Sequence, residues 1–520
     1  MMPCVVPSTR RSHGSGEHEP TAIPPRPLWA LRGVVRVVIG VIVATVALLG
    51  YASVGWGQAG DAKAGKPLYD LKCAGCHGEK GDGNGPGAEH LVPRPRDFTS
   101  GTFKIRTTAG KMPSDQDLFR IISDGMPGTS MPPWSVLPEK ERWNLVAYVK
   151  TFAAAKFKEP EKKLELPKEV ASSDESLKRG KEMYEAIECN KCHGMAGRAD
   201  GPSRPELKDE WGQPIKPANL TKRWTFRGGA GRTDVAMRLA AGVLGTPMPA
   251  FLEAVEKPED VWHLTNYILS LGPESPRYAT LVTAVATAEA IPDDPNAEFW
   301  RKLAPQNIPL MGQVIVDPRN FNPSIDMVSV RAAWSDKEIA FHLTWDDPTE
   351  STPDGKQTFA DAVALQFAPK AEGAGERPYF LMGDDSSPVY QLRWEGGKGA
   401  VEVAASGVTK VTALPGSEAT AKAVYDNGQY RVVIKRPRLA KGEERTSFRP
   451  AVFVPVAFQA WDGGAGETGA KMSLTSWYYL RLEESQSKAR FVVPPVVALL
   501  ALGAMLLVVW AANRRGPGVS

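Results

Sequence analysis

A five-residue motif, Cys-x-x-Cys-His, occurs twice in this 520-residue chain, and the residues around it are repeated as well. AGKPLYDLKCAGCHG in the first copy matches RGKEMYEAIECNKCHG in the second. Further on, GMPGTSMPPW (125–134) matches GVLGTPMPAF (242–251), and RWNLVAYVKTF (142–152) matches VWHLTNYILSL (261–271). Because these matches keep nearly the same offset along the chain, the sequence predicts two consecutive modules of one fold.

The motif has a specific chemical use. Two thiols three positions apart lie on one helical turn and can each add to a vinyl group of a haem, while the adjacent histidine ligates the iron. A zinc site would need further thiolate or imidazole ligands nearby, and neither copy has a second CxxC. We therefore predict two covalent c haems, and the residues that bind them are Cys73, Cys76, His77, Cys189, Cys192 and His193.

The second axial ligand of each iron is predicted from the downstream repeat. Met131 and Met248 each precede a proline in matching G-T-x-M-P segments. A thioether opposite histidine suits iron and raises its reduction potential. Met126 is the nearest rival in the first copy, but the second copy has Val243 at that position. With both axial positions filled by the protein, neither haem keeps a free site for a substrate, so we predict no catalytic residue.

These two modules resemble class I cytochrome c domains over residues 60–153 and 175–272, with a linker at 154–174. The resemblance implies an all-α fold in which the first helix crosses the last. Tyr69 and Tyr184 are then expected in the core of that crossing.

The region 274–484 has no cysteine and a different pattern. Short alternating segments occur at 329–348, 361–367, 430–436, 452–461 and 473–482, with Gly, Pro, Asp and Asn between them. Many short strands without a long amphipathic helix predict an all-β sandwich.

YFLMGDDSSPVYQLRW (379–394) and VAFQAWDGGAGETGAKMSLTSWYYL (456–480) resemble the haem b subunit of ethylbenzene dehydrogenase and of related molybdenum enzymes. The resemblance implies a third, non-covalent haem b with Met382 and Lys471 as its axial ligands. Met472 and His342 are the alternative donors. The same sandwich also resembles carbohydrate-binding and DOMON-type modules.

Two apolar segments bear on location. Residues 491–513 are uncharged and long enough for a transmembrane helix, and Arg514 and Arg515 follow at once, which predicts a cytoplasmic C-terminus and periplasmic or other extracytoplasmic domains. An N-terminal tail with a signal peptide or a second anchor is predicted within residues 1–59. The near balance of 63 basic and 59 acidic residues gives no reason to expect nucleic-acid binding.

The sequence therefore predicts a multidomain protein with two all-α cytochrome c domains, one all-β sandwich and a C-terminal transmembrane helix. The predicted function is electron transfer, as the cytochrome subunit of a molybdenum oxidoreductase whose partners are iron–sulfur and molybdenum subunits and respiratory electron carriers. A peroxidase-like dihaem enzyme and a redox-linked sensor with a ligand-binding β domain are the alternatives.

Overall fold

The computed structural model describes residues 60–158, 162–353, 359–369, 377–483 and 489–514. The tail and the apolar segment predicted within residues 1–59 lie outside the described residues, as does part of the predicted linker.

The first cytochrome-like module contains α1 (Ala62–Lys72), α2 (Ala74–His77), α3 (Asp115–Asp124) and α4 (Glu139–Thr151). The start of α3 is a capping box: Asp117 N donates to the Ser114 hydroxyl at 3.1 Å, and Ser114 N donates to the Asp117 carboxylate at 2.9 Å. Two otherwise unpaired backbone donors are satisfied in this way, which explains why the helix begins there.

The second module repeats this order with α5 (Asp174–Ala186), α6 (Asn190–His193), α7 (Arg232–Ala241) and α8 (Asp260–Ser270). Ser173 caps α5 by accepting a hydrogen bond of 3.2 Å from Ser176 N. The predicted all-α fold of both modules is thereby confirmed.

In each module the first helix packs closely against the last at a glycine. A side chain at Gly65 would overlap the carbonyl oxygen of Asn144 on α4, and one at Gly180 would overlap that of His263 on α8. The absence of a Cβ lets the two backbones approach to a distance that no other residue permits.

The β region contains one short helix, α9 (Glu298–Lys302), and the strands β1 (Val282–Ala286), β2 (Gln306–Pro309), β3 (Met311–Gly312), β4 (Met327–Trp334), β5 (Glu338–Asp346), β6 (Ala362–Phe367), β7 (Val389–Glu395), β8 (Gly399–Ala405), β9 (Val411–Ala413), β10 (Thr420–Asp426), β11 (Gln429–Pro437), β12 (Phe453–Trp461), β13 (Ser473–Leu474) and β14 (Tyr478–Leu482). Their main hydrogen-bonded order is β10-β11-β5-β4-β1-β14-β12-β6-β7-β8-β9. Within this order β1 is parallel to β4 and β14, and the other neighbours are antiparallel.

The two halves of this sheet fold onto each other around a buried apolar core. The ring of Phe341 on β5 lies 6.1 Å from that of Phe367 on β6, and Trp345 on β5 lies 5.9 Å from Trp394 on β7. Because β5 is not a hydrogen-bonded neighbour of β6 or β7, these contacts cross the interior between the halves. The region is the predicted sandwich.

One predicted strand is interrupted. Residues 473–482 form two strands, β13 and β14, and residues 475–477 between them belong to neither strand. Thr475 remains bound to Phe458 of β12 through its backbone and its hydroxyl, whereas the Trp477 indole donates to the Pro378 carbonyl at 2.8 Å.

The last described element is α10 (Ala489–Arg514). Its segment Pro494–Ala511 is long and apolar enough to cross a membrane. This helix agrees with the predicted transmembrane segment by length and composition.

Candidate functional site

The two CxxCH motifs have the same local structure. Each follows the first helix of its module and forms a single helical turn that ends at the histidine. The buried Tyr69 holds this turn by donating its hydroxyl proton to the Gly78 carbonyl at 2.7 Å, and Tyr184 does the same to Gly194 at 2.6 Å. The two tyrosines are core residues, as expected, and they also brace the turn.

Both motif histidines are oriented by a backbone carbonyl. Nδ1 of His77 donates to the Arg96 carbonyl at 3.0 Å, and Nδ1 of His193 donates to the Ala218 carbonyl at 2.8 Å. Because a carbonyl only accepts, each proton resides on Nδ1 and the Nε2 lone pair is left for a metal. Burial lowers the pKa of both rings, which favours the neutral, metal-binding form.

The four motif cysteines are free thiols. Burial raises the pKa of Cys73 to about 11 and that of Cys189 to about 12, so both are uncharged at neutral pH. Both residues are thus present as thiols, the form that adds to a haem vinyl group.

The predicted axial methionines occupy matching loops. In the first module Met131 N donates to the Thr129 hydroxyl at 3.2 Å, and the Met131 carbonyl accepts from Met126 N at 3.1 Å. Gly125 lies opposite with a φ of 70°, and a side chain there would collide with the backbone of Pro132.

In the second module Met248 N donates to the Thr246 hydroxyl at 3.3 Å, and the Met248 carbonyl accepts from Val243 N at 3.1 Å. Gly242 has a φ of 68° and fills the role of its counterpart in the first module. The repeated sequence thus produces the same hydrogen-bonded loop twice, with methionine at the same place in it.

A cavity of about 970 Å³ contains the predicted ligands of both modules in its walls. His77 and Met131 line it from the first module, and His193 and Met248 line it from the second. All four motif cysteines also line it. The residues present fit covalent haem, because each module supplies thiols, an imidazole with a free Nε2 and a thioether to one space. Met126 lines the same cavity and remains the rival of Met131.

The β region reaches this cavity as well. Asp326 and Asp346 line it and form ion pairs with Lys222 of the second module. Burial disfavours the charge on Lys222, but the two carboxylates outweigh burial and raise its pKa. On the first module, Asn322 Nδ2 donates to the His90 carbonyl at 2.9 Å.

The two residues predicted to ligate haem b differ in their surroundings. Met382 is buried, with 2% of its surface exposed, and its backbone is left-handed with a φ of 63°. Such a conformation is strained for a residue with a side chain, and strain of this kind is concentrated at functional sites. Lys471 is only partly buried, and its Nζ donates to the Ala465 carbonyl at 3.3 Å.

The structure brings Met382 close to the segment that follows Lys471. Met382 and the fully buried Met472 belong to one apolar cluster with Trp461, on the opposite face of the sheet from the main core. His342 lies elsewhere, stacked 5.3 Å from Trp300 with its Nε2 bound to the Pro295 carbonyl. Of the two alternative donors, only Met472 thus shares the cluster of Met382.

Sequence reasoning missed a group of three buried aspartates, Asp347, Asp361 and Asp462, which each bring one carboxylate oxygen within 4.8 Å of the others. Burial raises the pKa of Asp361 to about 6. Burial, followed by the charges of Asp462 and Asp361, also raises the pKa of Asp347 well above its usual range. The signal was present in the sequence, because each aspartate adjoins the end of an apolar strand (TWDDP, ADAVALQF, AWDGG).

Three family models match the chain. The model for cytochrome C oxidase, cbb3-type, subunit III matches residues 60–149, the cytochrome c model matches 177–272, and the ethylbenzene dehydrogenase model matches 297–418. Cytochrome c-554(547) of Halothiobacillus neapolitanus is 36% identical over 94 residues, which are 18% of this chain and 98% of that protein. This chain belongs to the cytochrome c family.

Other relatives match longer segments of this chain. A proposed respiratory nitrate reductase heme subunit, ORF7, of Haloferax mediterranei is 27% identical over 232 residues, covering 44% of this chain and 83% of that protein. A solved chain of the reducing HAO-like protein complex of Kuenenia stuttgartiensis is 41% identical and covers 40% of this chain and 96% of its own, with a TM-score of 0.39. A carbohydrate binding module of Caldicellulosiruptor kristjanssonii, solved with glucose, is 11% identical with a TM-score of 0.26, and the match covers 40% of this chain and 97% of the module.

These matches confirm two cytochrome c domains, which imply covalent haem c, and an ethylbenzene dehydrogenase-like region in the same cytochrome. Met382 lies inside the residues matched by the third model, whereas Lys471 lies beyond them.

Proposed function

We propose that this cytochrome is a membrane-anchored, extracytoplasmic electron-transfer subunit that carries two covalent c haems and one non-covalent b haem. Cys73 and Cys76 attach one c haem, and Cys189 and Cys192 attach the other. The observation that carries the proposal is the common cavity, whose walls include the predicted ligands of both modules and carboxylates of the β region. Two haems bound in one cavity would be suited to electron transfer from one haem to the other.

His77 with Met131, and His193 with Met248, are proposed as the axial pairs. The bound haem supplies a one-electron couple. The protein orients each imidazole through a backbone carbonyl and presents each thioether from a hydrogen-bonded loop. If these histidines and methionines hold the two irons, no open site would be left for peroxide, which favours electron transfer over a peroxidase-like reaction.

Met382 and Lys471 are proposed as the ligands of the b haem. The buried thioether and its strained backbone support the first assignment. For the second, Lys471 would hold the haem through its side-chain nitrogen, which in the structure donates to the Ala465 carbonyl. The sequence neighbour Met472 already lies in the cluster that contains Met382.

The proposed domain boundaries are 60–153 and 175–272 for the cytochrome c domains, 154–174 for the linker, 274–484 for the β region and 491–513 for the anchor. Arg514 and Arg515 support a cytoplasmic C-terminus with the haem domains on the other side of the membrane. The proposed partners are the iron–sulfur and molybdenum subunits of an oxidoreductase and further respiratory carriers. The name of the Haloferax relative, a respiratory reductase heme subunit, supports a partner of this kind.

The test is a pyridine haemochrome spectrum of the purified full chain combined with a redox titration. We expect two haems c and one haem b per chain. In Met248→Ala the reduction equilibrium constant of one c haem should fall by about a hundredfold, or about 120 mV for one electron, because a soft ligand that favours ferrous iron is lost. Met195→Ala, in an exposed residue near the second motif, is the matched control. A c haem that reacts with peroxide in the wild type would instead favour the peroxidase alternative.

A further inference from the structure

The cavity shared by the two cytochrome c domains has a strongly basic wall. Eleven lysine and arginine side chains line it, against three carboxylates. Asp346 and Asp326 are two of those three, and both are already paired with Lys222. Four of the eleven cations, namely Arg96, Lys191, Arg198 and Lys222, form ion pairs within the described part of the chain, so most of the positive charge in the wall is not paired there.

Lys104 of the first domain is one of these cations. It is half-buried, and burial lowers its pKa to about 8, with Arg96 and Arg227 as the next causes. Asp209 and Glu210 act in the opposite direction but do not compensate. Within the described part of the chain, no carboxylate forms an ion pair with Lys104.

Arg227 belongs to the second domain and faces the segment that carries Lys104. A side chain on its neighbour Gly228 would collide with Ile105, so the two segments are in contact. Burial lowers the pKa of Arg227, and none of the described residues pairs with it. This cation and Lys104 thus come from opposite domains and meet in one space.

Arg96 of the first domain contacts the second domain. Its guanidinium lies 4.2 Å from the ring centroid of Trp211 in the second domain and 3.8 Å from Glu210. Its side chain is 13% exposed, and its Nη1 has no hydrogen-bond partner among the described residues. The backbone carbonyl of Arg96 orients His77, so Arg96 adjoins the proposed haem site of the first domain.

Like charges held together away from water are unfavourable unless anions meet them. Each haem carries two propionate carboxylates, and guanidinium and ammonium groups are the usual partners of such anions. We propose that Arg96, Lys104 and Arg227 form one cationic cluster that binds propionates of both c haems and thereby couples their reduction potentials. This inference rests on the proposed function, because it requires a haem in each domain.

The expected effect has a definite sign. A cation beside the propionates disfavours the additional positive charge of ferric iron, so its removal lowers the potential. Because the cluster is shared, Lys104→Gln should lower the reduction equilibrium constants of both c haems, each by about tenfold, which corresponds to about 59 mV for one electron.

The experiment is a spectroelectrochemical titration of the full-length holoprotein, followed at the c-haem absorption band and resolved into two one-electron steps. The variants are Lys104→Gln, Lys104→Arg and Arg227→Gln, with Lys140→Gln on the exposed surface of the first domain as the control. Covalent haem is quantified in each preparation. Arg227→Gln removes a cation that the second domain contributes to the cluster. It therefore tests the proposal even if Lys104→Gln does not fold or does not take up its haems.

A fall in both steps for the two neutral variants, with wild-type values for Lys104→Arg and Lys140→Gln, is the expected result. Movement of a single step would show that the cluster serves one haem and would overturn the shared site. Unchanged potentials with full haem content would also overturn it while leaving the proposed function intact. Fewer than two covalent haems in the wild type would instead show that the proposed function itself has failed.

Discussion

The cytochrome c domains and the β region prepare their proposed haem sites in different ways. In each c domain the two thiols and the imidazole lie within five consecutive residues on one helical turn, and the turn is braced by Tyr69 or Tyr184. In the β region the proposed donors Met382 and Lys471 come from separate loops, one buried and strained and the other near the surface.

This difference shows what local sequence can and cannot build. The thiols and the imidazole of a covalent site are held together by a single helical turn. Their arrangement is therefore kept wherever that turn forms. A non-covalent site depends on packing that brings distant segments together, and it is therefore more exposed to changes elsewhere in the domain.

The strongest way to test the contrast is to remove one covalent site. In Cys189→Ala/Cys192→Ala we expect the covalent haem per chain to be halved, while the haem of the β region stays extractable. The two kinds of haem are counted by haem staining and by acid–acetone extraction. Loss of the extractable haem as well would contradict independent sites.

A second test concerns the helix crossing that supports the first covalent site. Gly65→Ala should destabilise the first domain by about 3 kcal/mol or more, because the new Cβ overlaps the Asn144 carbonyl and neither helix can move without repacking. The measurement is the denaturant midpoint followed at the c-haem absorption.

Gly75→Ala is its matched control, since no atom lies within 4 Å of the added Cβ there. Equal midpoints for the two variants would mean that the crossing is not tightly packed.

In the β region, packing and ligation can be separated at Met382. Met382→Ala should lower the free energy of unfolding of that region by about 2–3 kcal/mol, because a buried side chain is removed from the cluster with Trp461. Met382→Leu restores most of the volume but not the sulfur. We expect both variants to lose the extractable haem, and, when all proteins are compared after haem extraction, only the alanine variant to lose stability, as measured by urea unfolding followed through tryptophan fluorescence.

If Met382→Leu retains haem b with the potential of the wild type, Met382 is not its ligand. Met472, in the same cluster, then becomes the donor to test.

The smallest predicted effect concerns the buried aspartates. Because burial raises the pKa of Asp361 to about 6 and that of Asp347 above its usual range, the folded state binds protons more tightly than the unfolded state. The stability that these groups contribute is therefore complete below about pH 4 and is lost as the pH rises through 6.

Asp347→Asn removes one of the like charges and should raise the free energy of unfolding at pH 8 by on the order of 1 kcal/mol, with a smaller gain at pH 5. Urea titrations at the two pH values give the comparison. A loss of stability at pH 8 would falsify the electrostatic account.

The sequence alone determined the parts of this protein that depend on neighbouring residues. The two CxxCH motifs, the repeated register that selects Met131 and Met248, the alternation that predicts the sandwich and the apolar segment at 491–513 are all readable from short stretches. Each concerns groups that a single helical turn, loop or strand already holds together.

Only the tertiary structure decided which distant groups meet. It placed the Arg96 and Ala218 carbonyls against His77 and His193, and it brought Lys104 and Arg227 from different domains into the wall of one cavity. It also gathered three aspartates from separate strand ends and gave Met382 its left-handed backbone. Spacing along the chain carries no information about such contacts, because they arise from the packing of whole domains against one another.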